Sequence, residues 1–185
     1  MTLQQNLPEA MTLEQRQFPI GKWTPKKAYS AKEIERNISI IEKYPAKYKR
    51  LTKKLSEEEL AKTYREGAWN VHGLVVHISD MHILHFARFK QALCETNPQG
   101  FAPYIQGWAN NPEVKTVPLA DALLLLEATH RRWTHLLKSM SPEDFNKSFF
   151  HAGRQIYVTL AQALHMGAWH ARHHVEHIKI ALADS

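Results

Sequence analysis

The chain has 185 residues, 44% of them hydrophobic, which fits one globular domain with its own core and excludes a disordered or fibrous polypeptide. No apolar run reaches the roughly 18 residues that a membrane-spanning helix needs, and the single cysteine, Cys94, permits no internal disulfide. The formal charge of +6 points toward acidic partners, but no zinc-finger, glycine-loop or RNP-type pattern accompanies it, so neither nucleic acid nor a membrane is expected.

In chain order, Met1 to Phe18 is polar and mixed in charge and lacks the basic-then-apolar build of a signal peptide, so a reducing cytoplasm is the expected compartment. Residues 1–29 read as an extended arm, because Phe18-Pro19-Ile20-Gly21-Lys22-Trp23-Thr24-Pro25 carries too much Pro and Gly for a helix. Its aromatic residues suggest that it packs on the body, which should span 30–185. Eleven Lys and Arg against three Glu between Lys22 and Lys54 read as a solvated helix face.

Ser30-Ala31-Lys32-Glu33 is a capping box that opens a helix to about Thr52, with Ile34, Ile38, Ile41, Tyr44 or Pro45, and Tyr48 on its apolar stripe. Pro45 should kink or interrupt it. Ser56-Glu57-Glu58-Glu59 opens a short helix near Leu60. Asn70 caps a second long helix, Val71 to about Glu95, which Asn97-Pro98-Gln99-Gly100 stops. The stretch 96–117, with three prolines and two glycines, reads as a long loop of the kind that covers a site.

A third long helix should cover Leu119 to Ser139, with Leu123, Leu126, His130, Trp133 and Leu137 on one stripe. Ser141-Pro142-Glu143-Asp144 starts a short turn, and residues 149–157 around Ala152-Gly153 form a small hairpin. Thr159-Leu160-Ala161-Gln162 is another capping box and opens the last helix, about 160–182. The expected fold is all-α: a four-helix bundle with an N-terminal arm, short extra helices and a small hairpin.

The last helix carries the densest chemistry. His165 to His177 holds five of the twelve histidines in thirteen residues. Histidines at i and i+4 aim two ring nitrogens at one point, as a metal ion requires. On a helical wheel the apolar centre lies roughly 80° ahead of His170, and His174 lies about 40° from His170 on that side. The pair His170/His174 is therefore the core-facing one, and His173/His177 falls nearer the edge of the bundle. His165 and His173 read as surface or otherwise satisfied groups. His177, three residues from His174 on the same side, reads as a partner that orients a ligand.

A third ligand has to come from another helix, and the second long helix offers His72, His77, His82 and His85. Wheel position does not separate His77, His82 and His85. Asp80, three residues after His77, is placed to orient it or a bound water. Three protein ligands with an open position are the pattern of a catalytic metal, and the absence of CxxC excludes a cysteine-rich structural site. Glu176 reads as a surface residue and Cys94 as buried and inert. Neither a phosphate-binding glycine loop nor a GxSxG elbow is present.

Several segments resemble the YfiT-like branch of the DinB superfamily. They are Phe18-Pro19-Ile20-Gly21, Tyr64 to Val71, Val75-Val76-His77-Ile78-Ser79-Asp80-Met81-His82, Arg88-Phe89-Lys90, Arg132-Trp133 and Trp169 to Ile178. The resemblance runs from about residue 18 to 182 and departs at Val76, where a histidine is frequent. It implies a four-helix bundle holding one metal on three histidines. Carried over by motif, these are His77, in its Val-His-x-x-Asp context, and His170 and His174. It also implies a cytoplasmic homodimer, and members described as metal-dependent hydrolases or as thiol S-transferases that use bacillithiol.

The expected activity follows from these two lines together. A divalent metal, zinc or nickel, about one per chain, sits on His77, His170 and His174 and activates a low-molecular-weight thiol for attack on a small electrophile. The alternatives are a metal-dependent hydrolase and a bundle that binds metal without catalysis. Arg88 and Arg172 are candidates for holding an acidic thiol cofactor, and Tyr104 and Trp108 for shaping the pocket.

Overall fold

Three of the four long helices begin at a side-chain cap, so local chemistry already fixes most of the register. The computed structural model describes residues 11–183. The first ten residues of the expected arm lie outside the described residues. The remainder of the arm is not uniformly extended. Thr12 and Gln15 form a reciprocal capping box that starts a one-turn helix, α1 (Leu13–Gln17). Ser30 and Glu33 cap α2 (Ala31–Thr52), and Ser56 and Glu59 cap the short α3 (Glu57–Ala61). Asn70 accepts from the Gly73 N–H to open α4 (Val71–Cys94).

The expected loop 96–117 is largely ordered into short pieces, which is a correction. It holds β1 (Gln99–Gly100), α5 (Ile105–Ala109) and a 3-10 turn at Pro112–Lys115. Then come α6 (Leu119–Ser139), a 3-10 turn at Glu143–Asn146 and the hairpin β2 (Ser148–His151) with β3 (Ile156–Thr159). Thr159 and Gln162 exchange capping bonds at the start of α7 (Leu160–Ala183). β2 pairs antiparallel with β3 and parallel with β1, so the segment after α4 is pulled alongside the hairpin. Gly100 permits that approach, because a Cβ there would meet the Phe149 ring at 2.6 Å.

α4 packs on α6 and α7, and α2 packs on the same two helices from the other side. The long helices that follow one another in the chain, α2 then α4 and α6 then α7, therefore sit diagonally across the bundle. This topology brings α4 against α7, the two helices that carry most of the histidines.

The core is divided along the bundle axis. One apolar cluster holds Tyr48, Leu74, Ile78, Leu126, Val175 and Ile178. The other holds Ile41, Phe89, Trp133, Phe149, Leu160 and Leu164. In three of the four long helices the sequence passes from one cluster to the other through a polar stretch: His77 to His85 in α4, His130 in α6, and His170 to His174 in α7. A layer of imidazoles thus replaces hydrocarbon at mid-bundle, where buried polar groups must find partners.

Two expectations change here. α2 runs unbroken through Pro45, which is buried. Proline lacks an N–H, so the carbonyl of Ile41, four residues earlier, loses its helical donor. Cys94 is exposed in the last turn of α4 rather than buried.

Candidate metal centre

α4 and α7 bring three imidazoles to one point. The Nε2 of His170 lies 3.2 Å from the Nε2 of His77 and 3.0 Å from the Nε2 of His174. Ligand nitrogens of all three lie within 4.8 Å of one another. Two nitrogens bound to one ion at about 2.0–2.1 Å are about 3.0 Å apart at a right angle and about 3.4 Å at the tetrahedral angle. The observed spacings match one face of such a coordination shell.

Hydrogen bonds reaching in from two sides set the tautomers. On one side, the Ile41 carbonyl freed by Pro45 accepts from the Nδ1–H of His130 at 2.5 Å. A carbonyl can only accept, so His130 carries a proton on Nδ1; burial, which lowers its pKa to about 4, keeps it neutral, and its Nε2 therefore accepts from the Nδ1–H of His82 at 2.7 Å. The Nε2 of His82 then accepts from the Nδ1–H of His170 at 3.2 Å. On the other side, the Gln17 carbonyl accepts from the Nε2–H of His177 at 3.3 Å, and the Nδ1 of His177 accepts from the Nδ1–H of His174, also at 3.3 Å. Both relays leave a bare Nε2 lone pair, one on His170 and one on His174, facing each other at 3.0 Å. Two lone pairs at that distance repel unless a cation lies between them, and this donor set fits a divalent ion.

Burial keeps these rings neutral, the form that binds metal. It lowers the pKa of His77 and His130 to about 4, and holds His82, His170 and His174 well below the usual histidine range, where neighbouring imidazoles add to the effect. Burial also depresses His85 and His173 to about 3 and His177 to about 4. Folded pKa values below the unfolded value of 6.5 mean that the unfolded chain takes up protons first as pH falls. Stability of the metal-free protein is therefore expected to be full above pH 6.5 and to fall progressively toward pH 4. Urea midpoints at pH 7.0, 5.5 and 4.5 test this, and a midpoint that stays constant over that range would contradict it.

The other site candidates sort by contact. The Nδ1 of His177 lies 3.3 Å from the Nδ1 of His174, and its ring stacks on Tyr64 at 3.8 Å. Asp80 makes no hydrogen bond to His77, and its half-buried carboxyl is pushed up to about 6 by burial and by the charge of Glu113. Both ring nitrogens of His82 are engaged in the relay, so neither is left for a metal. His72 bonds the Val117 carbonyl, and His165 bonds the Tyr29 hydroxyl. His173, expected at the surface or satisfied, is buried under Trp169 and Phe18 with an unpartnered Nδ1. It forms a second close group with His174 and His177, but there the Nε2 of His177 is already bonded to Gln17.

A cavity of ≈ 630 Å³ opens beside the triad, with His77 and His170 in its wall. Met81, Met166, Trp23 and Trp169 give it apolar surface, while Lys22, Arg88 and Arg154 give it positive charge. Among the described residues no carboxylate lines it. Ala102, Pro103 and Ile105 close it from the 96–117 segment, whereas Tyr104 and Trp108 do not line it. Arg88 belongs to the cavity. Arg172 lines a separate groove with Lys26 and Glu33.

The sequence profile of the DinB superfamily matches residues 40–178. The chain belongs to the DinB superfamily. It is 33% identical over 169 residues to the Bacillus subtilis (strain 168) protein named "Putative metal-dependent hydrolase YfiT", covering 91% of this chain and 94% of the relative. A Bacillus pumilus relative named "Putative metal-dependent hydrolase" is 37% identical over 88% of this chain and 92% of its own length. The solved structure of Bacillus subtilis YfiT, described as having "an unusual four-helix bundle topology", superposes with a TM-score of 0.86 at 32% identity, over 89% of this chain and 94% of that one. At 16% identity, the mycothiol-dependent maleylpyruvate isomerase shares the fold with a TM-score of 0.62, over 78% of this chain and 60% of that chain. Among the described residues no helix is long and apolar enough to cross a membrane.

Sequence reasoning missed His130, His151 and Arg154 as members of this DinB-superfamily site. His130 had a signal, as a lone polar residue on an otherwise apolar helical stripe. His151 and Arg154 had none, because only the β1–β2 pairing brings the hairpin to the cavity.

Proposed function

We propose that this protein is a metal-dependent enzyme in which His77, His170 and His174 hold one divalent ion, zinc or nickel, and in which a low-molecular-weight thiol is activated for attack on an electrophile. The observation that carries this reading is the pair of bare Nε2 lone pairs facing each other at 3.0 Å, beside a third Nε2, in the wall of a cavity. A divalent ion held there supplies the Lewis acidity that keeps a thiol deprotonated at neutral pH.

The chain's own residues do the rest. The two hydrogen-bond relays hold His170 and His174 in the tautomers that present Nε2. Trp23, Met81, Met166 and Trp169 exclude water from the cavity, and its positive wall balances a thiolate. The sulfur then forms a bond to the electrophilic carbon, and the leaving group departs with the displaced electron pair.

Hydrolysis is the second reading, supported by the names of the relatives. Against it stands the lack, among the described residues, of a carboxylate in the cavity wall to serve as general base for water. A thiol held by the ion would release its proton to solvent beforehand, and the resulting thiolate would need no base in the bond-forming step. The test is to supply metal-loaded protein with a panel of small thiols and 1-chloro-2,4-dinitrobenzene, and separately with p-nitrophenyl acetate. Thiol-dependent conjugation that is lost in His170→Ala is expected. Ester cleavage with no conjugation of any thiol would replace the transferase reading with the hydrolase one.

A further inference from the structure

The cavity wall contains a buried cation that no carboxylate among the described residues balances. Arg88 is 6% exposed and lines the cavity. Its Nη2 donates to the Phe101 carbonyl, and its guanidinium lies 5.7 Å above the Phe149 ring. Its Nε–H has no acceptor. None of the ion pairs among the described residues includes Arg88. Burial lowers its pKa to about 10, so it is still charged at neutral pH. A desolvated charge of this kind is unfavourable until an anion pairs with it.

The neighbouring groups point the same way. Among the described residues, eight buried side-chain nitrogen and oxygen atoms lack a hydrogen-bond partner, and four of them belong to cavity-lining residues: Trp23 Nε1, His85 Nδ1, Arg88 Nε and His151 Nδ1. The tryptophan and arginine nitrogens can only donate. Donors without acceptors, in a positively charged cavity lined by no carboxylate of the described residues, are the complement of an oxyanion. The planar guanidinium fork matches a planar carboxylate in particular.

We infer that the cavity binds a small-molecule carboxylate, received by Arg88 next to the histidine triad. The inference rests on the metal-centre reading only for the identity of what lies beside the carboxylate. Arg88 is a binding residue in this account, and specificity for acidic substrates over neutral isosteres follows from it.

Benzoate and its neutral isostere benzamide are the probes, titrated into metal-loaded protein. Quenching of tryptophan fluorescence is the readout, since Trp23 and Trp169 line the cavity. Benzoate is expected to bind at least tenfold more tightly than benzamide. Arg88→Met should abolish that preference while raising the melting temperature of the ligand-free protein, because an unpaired buried charge has gone. Arg88→Lys should keep the fold and the charge but lose most of the benzoate affinity with the fork, so it carries the test if the methionine variant does not fold. Equal affinities in the wild type, or wild-type benzoate affinity in both variants, would overturn the inference. Metal content measured on the same samples keeps the two proposals apart. Arg88-dependent benzoate binding in a protein that takes up no metal supports this inference and removes the metal centre.

The carboxylate has two possible sources, the electrophile or the thiol. If saturating benzoate leaves the binding of 3-mercaptopropionate unchanged, Arg88 serves the electrophile. If benzoate weakens 3-mercaptopropionate but not 2-mercaptoethanol, Arg88 serves the thiol.

Discussion

His170→Ala is expected to reduce bound zinc or nickel from about one ion per chain to a trace, with the helical circular dichroism spectrum retained. His170 is the hub of the triad, since its Nε2 is the atom that approaches both other ligand nitrogens, at 3.2 and 3.0 Å. Removing it leaves one donor on α4 and one on α7, too few for a three-coordinate protein site. The loss should exceed the about 10–100-fold that removal of an outer partner costs. The fold should survive because the apolar clusters on either side of the histidine layer do not use this ring. Dialysis against buffered metal followed by elemental analysis checks the result. Full occupancy in the variant would mean that the ion binds elsewhere.

The second large effect lies away from any ligand. His130→Phe is expected to weaken metal affinity by about 10–100-fold, although His130 contacts only His82 and the Ile41 carbonyl by hydrogen bond. Without His130 the Nδ1–H of His82 has no acceptor, and the tautomer of His170 is no longer fixed from the carbonyl end. Phenylalanine keeps the ring volume, so the bundle should fold with the wild-type secondary structure. The anchor itself can be tested through Pro45. Pro45→Ala returns an N–H to α2, and this donor competes with His130 for the Ile41 carbonyl. A helix-interior proline costs about 3 kcal/mol relative to alanine. Pro45→Ala should therefore raise the urea midpoint while lowering metal affinity, two changes that a purely structural proline would not produce together. Competition titrations with a chromogenic chelator give the affinities, and unchanged affinity in both variants would remove the relay from the account.

Much of this could be read from residues alone, for identifiable reasons. The caps Ser30, Ser56, Asn70 and Thr159 are short-range signals, and each starts its helix where expected. His170 and His174 are one turn apart on one helix, so their convergence needs only helical geometry. His77 could not be separated from His82 and His85 by periodicity, because all three are buried on α4. What distinguishes them is supplied by other helices: His130 on α6 occupies His82, and His170 on α7 meets His77. Resemblance to the family had singled out His77 where the wheel was silent.

Other features depend on contacts that no local pattern encodes. Pro45 reads as a helix breaker, but α2 continues through it because the freed carbonyl finds a donor on α6. Asp80 has the spacing of an orienting residue but makes no hydrogen bond to His77, and burial and the nearby Glu113 push its carboxyl up to about 6, surroundings that spacing does not encode. The one-turn helix at Leu13 did carry a sequence signal, the Thr12 to Gln15 box, inside a segment that its prolines and glycines made look extended. That turn matters for the site, because it delivers the Gln17 carbonyl to His177.

The central claim is one open site built on three imidazoles, and anomalous diffraction from crystals of the zinc- or nickel-loaded protein tests it most directly. The expected result is a single peak about 2.0–2.1 Å from the Nε2 atoms of His77, His170 and His174, with no fourth protein ligand. A peak among His173, His174 and His177, or an ion closed off by a fourth side chain, would contradict it.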